Sequence, residues 1–215
     1  MPSNQTRRTL GQLRDAVRRR VPITDTDTQL TYEIIDEFIN TALRQVSTEH
    51  NWPWLLDTQA ITTAAGDDSY NVDADYLSTK VISENQSDLV LRNTAIQDIL
   101  EIPDTESDRP SCYMIDREQV ILRPVPDGIY TLTHYFYRME PALSGDSSQP
   151  FIPYAYDEGV VEYATYLCLR MKREDQRAVL SLKAYQDWCK RTADNLVESR
   201  EPRAPRVRRG SGLGR

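Results

Sequence analysis

Apolar residues recur at helical spacing close to both ends of the chain. The first stripe predicts a short helix that opens at Thr9 and ends before Pro22, because proline cannot continue a helix. Its apolar residues follow one another at three- and four-residue steps and are Leu10, Leu13, Val17 and Val21. Arginines occupy the other side, so this helix is expected to be amphipathic.

The clearest helical pattern in the chain extends over residues 28–50. Its apolar stripe is continuous and consists of Leu30, Ile34, Ile35, Phe38, Ile39, Ala42, Leu43 and Val46. A stripe of this length must face a core. We expect Asp27 or Thr28 to cap the first turn. We expect Trp52-Pro53-Trp54 to stop the helix, because the residue before a proline is pushed out of the helical conformation.

Two further stripes predict helices on the C-terminal side, over about 154–198. The first stripe consists of Tyr156, Val160, Tyr163, Ala164, Leu167 and Met171. The second consists of Ala178, Leu182, Tyr185, Cys189 and Leu196. The polar residues 172–175 separate the two stripes, so two helices joined by a short turn are expected here.

Between about 57 and 138 the pattern is strand-like instead. Residues 59–63 and 69–72 are predicted to form a hairpin around a turn at Gly66. Further strands are predicted at 79–83, 89–92, 112–115, 119–123 and 129–138, with a short helix over 94–102. Alternation in the last strand predicts one buried face and one half-exposed face that is rich in tyrosine.

This order of elements predicts an α+β fold, in which the terminal helices form a helical bundle and the strands project as a β-rich insertion between them. We expect residues 1–199 to form a single domain, with helices at about 9–50 and 154–198 and the insertion at about 57–138. Residues 200–215 contain prolines, glycines and almost nothing apolar. They are expected to form an extended, arginine-rich C-terminal arm that cannot pack on its own.

Cysteine usage and hydropathy bear on where the protein folds. Cys112, Cys168 and Cys189 are far apart and form no CxxC motif, which favours reduced, buried thiols in a protein made in the cytosol. No apolar run approaches the roughly 20 residues that span a bilayer. The N-terminal region has no apolar segment of the signal-peptide type. We therefore expect a soluble, unexported protein with no membrane partner.

Positive charge is concentrated at the two ends of the chain. Residues 1–20 hold six arginines and one acid, and residues 200–215 again hold six arginines and one acid, so each end carries +5. Because the whole chain carries −7, residues 21–199 carry −17. An acidic body of this size repels phosphate and is not expected to grip nucleic acid. The basic ends are expected to seek acidic partners.

Residues of the kind that perform catalysis are few. His50 and His134 are the only histidines, and neither lies in an HExxH or Cys/His metal-binding pattern, so hydrogen-bonded structural roles are favoured. There is no Gly-x-Ser-x-Gly, and the glycines at 210–214 follow no predicted strand. We expect no enzyme activity, no cofactor and no metal site.

For two acidic clusters and three tryptophans, structural roles are favoured over binding roles. The acids at 25–27 and at 67–75 lack the glycine and terminal glutamate of a calcium-binding loop, so capping and turn roles are favoured. The tryptophans are expected to pack in a core rather than to stack on bases, because they sit among core-spaced residues in an acidic body. They are Trp52, Trp54 and Trp188.

Several segments carry distinctive turn and packing signatures: Trp52-Pro53-Trp54-Leu55, residues 61–67, Tyr70-Asn71-Val72, Asp75-Tyr76-Leu77, residues 119–132 and Pro150-Phe151-Ile152-Pro153. In these segments and in their order, the chain resembles the head-to-tail adaptor (head-completion or connector) proteins of tailed bacteriophages. The resemblance spans about residues 9–195, so the arginine-rich ends lie outside it. It implies a helical bundle with a β-rich insertion, assembled as a ring, usually of twelve copies, between portal and tail.

The leading hypothesis is therefore a structural virion protein at the head–tail interface, assembled in the host cytoplasm. Its implied partners are the portal protein, the next connector or tail protein, and further copies of itself, with DNA passing through the lumen without specific binding. Charge alone assigns the portal contact to the ends of the chain. The candidate partner-binding residues are Arg200, Arg203, Arg206, Arg208, Arg209, Arg215, Arg7 and Arg8.

Other interpretations remain open at this point. The basic termini could clamp duplex DNA, in which case binding would depend steeply on salt. A tail-terminator or other tail-assembly protein would share the assembly logic and differ only in its neighbour.

Overall fold

Helices from the two ends of the chain pack together in one part of the fold. The computed structural model describes residues 7–21, 29–85, 89–103 and 107–198. Its α-helices are α1 (Leu10–Arg18), α2 (Tyr32–Glu49), α3 (Ile96–Leu100), α4 (Glu158–Met171) and α5 (Asp175–Glu198). Short 3₁₀ turns at Pro53–Leu55 and Tyr154–Tyr156 lead into the first strand and into α4. The predicted α+β fold is confirmed.

The first two helices begin at threonine caps. Thr9 and Gln12 form a capping box, in which each side chain accepts a hydrogen bond from the other residue's backbone N–H, at 3.3 and 3.0 Å. Thr31 caps α2 by accepting from the backbone N–H of Ile34. The prediction that α2 is capped by Asp27 or Thr28 is therefore wrong, and both of those residues lie outside the described ranges.

Helices α1, α2, α4 and α5 share one apolar core. Trp52 lies inside it, where its indole N–H donates to the carbonyl of Val46 at 2.6 Å. Trp54 stacks on Trp52 at 4.9 Å, and Trp188 lies 5.8 Å from Trp52. The predicted packing role of the tryptophans is confirmed, and the three cysteines are free and buried, also as predicted. In the described ranges, each helix is too short or too polar to cross a membrane.

Within the described residues, nine strands follow between the two halves of the bundle. They are β1 (Leu56–Thr62), β2 (Ser69–Asn71), β3 (Tyr76–Glu84), β4 (Arg92–Asn93), β5 (Ser107–Asp108), β6 (Cys112–Asp116), β7 (Gln119–Arg123), β8 (Val125–Pro126) and β9 (Thr131–Arg138). Three strands form a sheet in the order β1-β9-β3, and four form a second sheet in the order β2-β7-β6-β4. The short strands β5 and β8 pair with each other.

The predicted hairpin between the first two strands is wrong. Gly66 does occupy a turn, with φ of 87°, but the strands on either side of it join different sheets. Strand β1 pairs with β9 over seven residues, from Leu56 opposite Tyr137 to Thr62 opposite Thr131. Strand β2 pairs with β7 instead. The three residues of β2 could form hydrogen bonds with only part of the β1 backbone. The longer pairing with β9 is therefore favoured.

The two larger sheets enclose a second apolar core. Ile61, Ile82 and Leu132 come from the first sheet, and Tyr113, Val120 and Leu122 from the second. The alternation predicted for the last strand is confirmed over most of β9. Tyr137 departs from it, because it lies at the bundle end of the strand, where it is buried in the helical core.

His134 lies on the buried face of β9 and is fully buried. Its Nε2 lies 2.9 Å from the hydroxyl of Thr79, and its ring contacts those of Tyr76 and Phe136. Its Nδ1 has no hydrogen-bond partner among the described residues. The structural role predicted for this histidine is confirmed.

Candidate functional site

The candidate partner-binding residues fall into two groups. The six arginines of the arm, at 200, 203, 206, 208, 209 and 215, lie outside the described residues. Arg7 and Arg8 are described, and both contact the segment that leads into α4. The guanidinium of Arg7 lies over the ring of Phe151, 5.7 Å from its centroid, and Gln149 donates a hydrogen bond to the backbone carbonyl of Arg7.

Arg8 reaches a buried carboxylate. Its Nε lies 3.4 Å from the Oδ2 of Asp157, and its guanidinium lies over the ring of Tyr154, 4.9 Å from the ring centroid. The Asp157 side chain is only 3% exposed. Burial raises the pKa of Asp157 to about 6, although the positive charge of Arg8 opposes this shift. The first turn of α4 is therefore joined to the residues that precede α1.

Arg14 links three parts of the chain. It donates to both carboxylate oxygens of Asp36 in α2, at 2.7 and 2.6 Å, and to Asp146 in the loop before α4, at 2.7 Å. Hydrogen bonds to Asp36 and then to Asp146 raise the pKa of Arg14 above its ordinary value. A bidentate contact of this kind fixes orientation as well as charge, so Arg14 positions α1 on the bundle.

Two more arginines of this region are bound within the chain. Arg20 donates to Glu162 at 2.6 Å and also pairs with Glu158, both in α4. Arg18 donates to the hydroxyl of Tyr32 at 2.7 Å. Burial raises the pKa of Glu162, while Arg20 lowers it.

Five of the six N-terminal arginines therefore contact acidic or aromatic groups of their own chain, which charge counting did not predict. The sequence holds a partial signal, since Glu158 and Glu162 are spaced to lie on one face of α4. Asp36 and Asp146 have no such signal, because only the folded chain brings them to the same guanidinium. The assignment of Arg7 and Arg8 to an external partner stays a prediction.

Carboxylates in the β-rich part are paired with arginines as well. Asp68 pairs with Arg123, and Arg138 binds Asp57 and Asp75 at 2.6 Å each. The turn role favoured for the acids at 67–75 is confirmed for Asp73, which accepts from the backbone N–H of Asp75 at 3.0 Å. The ion pairs of Asp68 and Asp75 were not predicted, and the acids at 25–27 lie outside the described residues. Within 7–21, 29–85, 89–103 and 107–198, no group of three potential ligands is placed to hold a metal ion.

Stability is expected to depend on pH through His134. Burial lowers the pKa of His134 to about 4, compared with an ordinary value of 6.5. The unfolded chain therefore takes up the proton first, and stability is lost as the pH falls from 6.5 towards 4, by about 3 kcal/mol. In urea unfolding, the stability difference between wild type and His134→Gln should shrink by this amount between pH 7 and pH 4.

Asp157→Asn serves as a control of opposite sign. Because the pKa of Asp157 is raised to about 6, this carboxyl contributes less stability as the pH rises from about 4 to about 6. The stability of wild type relative to Asp157→Asn should therefore grow, not shrink, as the pH falls. Curves that move in the same direction for both variants would contradict these assignments.

A family model described as SU10 adaptor protein matches residues 8–209 of the chain. The match includes the bundle, the β-rich insertion and all arginines of the arm except Arg215. It thus extends further towards the C-terminus than residue 195, where the sequence resemblance ended. No match was found among curated proteins.

Proposed function

This chain belongs to the SU10 adaptor protein family, and on that premise we propose that it is a structural virion protein that joins a phage head to its tail. Copies of the chain form a ring beneath the portal, and DNA passes through the lumen of that ring. The observation that carries this proposal is the family match over residues 8–209, which spans almost the whole folded chain. The ring is assembled in the host cytoplasm and remains in the virion.

The charge of the body supports passage of DNA without capture. Residues 21–199 carry −17, and each basic contact with phosphate would add affinity through release of counterions. Several arginines that could make such contacts are bound to carboxylates of the same chain, including Arg14 and Arg20. An acidic wall of this kind lets DNA slide through the ring.

The ring is proposed to contain twelve copies. Acidic bodies placed side by side repel each other at short range, so contacts between copies need uncharged area and specific pairs. The bundle and the insertion, residues 1–199, are proposed to act as one domain in these contacts. Residues 200–215 follow that domain and are proposed to attach it to a partner.

The portal contact is assigned to the basic ends of the chain. The arm carries +5 and follows α5, which ends at Glu198. A segment that orders only on docking can bridge two rings of different shape at some entropic cost. The residues proposed to bind an acidic groove of the portal are Arg200, Arg203, Arg206, Arg208, Arg209 and Arg215, with Arg7 and Arg8 as a second contact.

Deletion of residues 200–215 tests the docking assignment. We expect the truncated chain to keep its fold and to bind the portal of the same virus at least about tenfold more weakly, because several charge-assisted contacts are lost together. A matched pair of full-length variants separates charge from length: replacement of the arm arginines by Gln should weaken binding, and replacement by Lys should largely retain it. Undiminished binding by the truncated chain would count against docking through the arm.

A gel-retardation assay with duplex DNA and the purified chain distinguishes this function from that of a DNA clamp. A clamp formed by the basic termini would bind DNA with steep salt dependence. We expect no retardation at low salt. The tail-terminator alternative is separated by the partner, since such a protein would bind tail components and leave the portal free.

A further inference from the structure

The three-stranded sheet has one face buried against the second sheet and one face open. Directly opposite residues of antiparallel strands share a face. The register therefore places Ala60, Thr133 and Ser83 in one row of the open face, and Thr58, Tyr135 and Val81 in the next row. These six residues are called the neutral face. Val90 extends the first row through its bridge to Ser83.

The neutral face contains no acid and no base, in a body that carries −17. Thr58 and Ala60 are exposed, and Val81, Ser83, Thr133 and Tyr135 are half-buried. Along β3, exposed Lys80 precedes Val81 at an irregularity, and Glu84 follows Ser83 but is buried opposite Leu132 on the other face. The opposite face of the sheet meets the second apolar core, so only the open face is available for contacts with another molecule.

We propose that the neutral face contacts a second copy of this chain in the ring. The inference rests on the proposed function and adds to it the surface through which neighbouring copies meet. Two bodies of −17 repel each other wherever charged surfaces approach within a Debye length of roughly 8 Å. Apposition of an uncharged face adds the least repulsion and desolvates no ion. Interface centres are depleted in charged residues, and these two rows contain none.

The contact must be heterologous, because a ring forms only when one surface of a copy meets a different surface of the next. Strand spacing and rise give the neutral face, together with Val90, an area of roughly 250 Å². A standard interface contributes roughly 800 Å² from each partner, so adjoining residues must take part. Val90 and Ile129 are exposed by 60% and 75% and supply apolar area beside or beyond these rows.

Ala60→Asp is the variant that tests the contact. Ala60 is exposed on the edge strand β1, so an aspartate there can be hydrated in the single chain but not in a closed contact. Native mass spectrometry and sedimentation velocity of the full-length chain, alone and with the portal, would measure the ring. We expect the assembled fraction of Ala60→Asp to fall at least about tenfold, because an unpaired charge in a contact costs affinity whatever its sign.

Two further variants make the result specific. Thr58→Lys places the opposite charge on the neighbouring row and should also reduce assembly about tenfold or more. Ala142→Asp adds the same charge at an exposed position in the loop after β9 and should assemble like wild type. Thermal unfolding of all three monomers would show that the fold is retained.

The outcomes separate this inference from the function on which it rests. If wild type forms rings and both neutral-face variants form them equally well, the neutral face is not the contact, and the proposed function stands without it. If Ala142→Asp alone disrupts the ring, the contact lies elsewhere and the inference is overturned. If wild type forms no ring, either alone or on the portal, both the proposed function and the inference fail.

Discussion

Gly159→Ala is expected to destabilise the helical bundle by about 3 kcal/mol or more, as judged for severe overpacking of a core. Gly159 lies in the first turn of α4 and is buried. A methyl group added there would overlap three atoms of the Trp188 indole ring in α5. Helix propensity alone would favour alanine by about 1 kcal/mol, so the sign of the result is decided by the overlap.

The indole ring cannot easily move away from the added methyl. Trp188 is 6% exposed, stacks on Tyr185 and lies near Trp52 in the shared core. Any displacement of the ring would therefore disturb its contacts with Tyr185 and with Trp52, which follows α2, as well as the packing of α4 on α5.

Urea unfolding of Gly159→Ala beside Gly128→Ala provides the measurement. An added methyl at Gly128 meets no atom within 4 Å, so that variant should stay within about 0.5 kcal/mol of wild type. Combining Gly159→Ala with Trp188→Leu should recover part of the loss, since the two changes share one contact. Equal stability of Gly159→Ala and Gly128→Ala would show that the two helices are not packed as described.

The helices were predictable because their signal is local. Apolar spacing in contiguous sequence placed α1, α4 and α5 close to their observed positions, and the polar residues 172–175 marked the turn between the last two. The first residue of α2 could not be predicted from this local signal. Several threonines and aspartates precede the apolar stripe, and only the fold selects Thr31 as its cap.

Strand partners were not predictable, because pairing is not local. Alternation identified which residues of β9 face the core, but nothing in residues 56–62 indicates that they pair with residues 131–137. The turn at Gly66 was correctly located, and yet the strands around it separate. The neutral face follows from this long-range register, so it could not be recognised from the sequence alone.

Charge counting predicted the basic N-terminus but not its partners. Arg14 meets Asp36 and Asp146 from two distant segments, and Arg20 meets the first turns of α4. These contacts use much of the N-terminal charge to hold α1 in place. They weaken the symmetry between the two ends that the sequence suggested, and the proposed portal contact accordingly relies mainly on the C-terminal arm.

Glu140→Ala is expected to destabilise the protein by about 3 kcal/mol, because it leaves two backbone donors without their acceptor in a buried place. Glu140 follows β9 and is 4% exposed. Its carboxylate accepts hydrogen bonds from the backbone N–H groups of Ile152 and Phe151, at 2.8 and 3.0 Å. Its own N–H donates to the hydroxyl of Ser47 in α2. The side chain thus closes the loop that carries the chain from the β-rich insertion back to the bundle.

Comparison of three variants by urea unfolding would test this role. Burial raises the pKa of Glu140, while the two backbone hydrogen bonds lower it, so the bonds offset part of the cost of burying a carboxyl group. Glu140→Gln retains one acceptor and presents an N–H group to the other donor, so its loss should fall between those of wild type and Glu140→Ala.

Glu37→Ala removes an exposed carboxylate from α2 and should change stability by less than about 0.5 kcal/mol. Faster hydrogen exchange at Phe151 and Ile152 in Glu140→Ala, with unchanged exchange in β7, would localise the loss to the loop. If Glu140→Ala proved no less stable than Glu37→Ala, the connection between insertion and bundle would have to be held by the ion pairs of Arg14 and Arg138 instead.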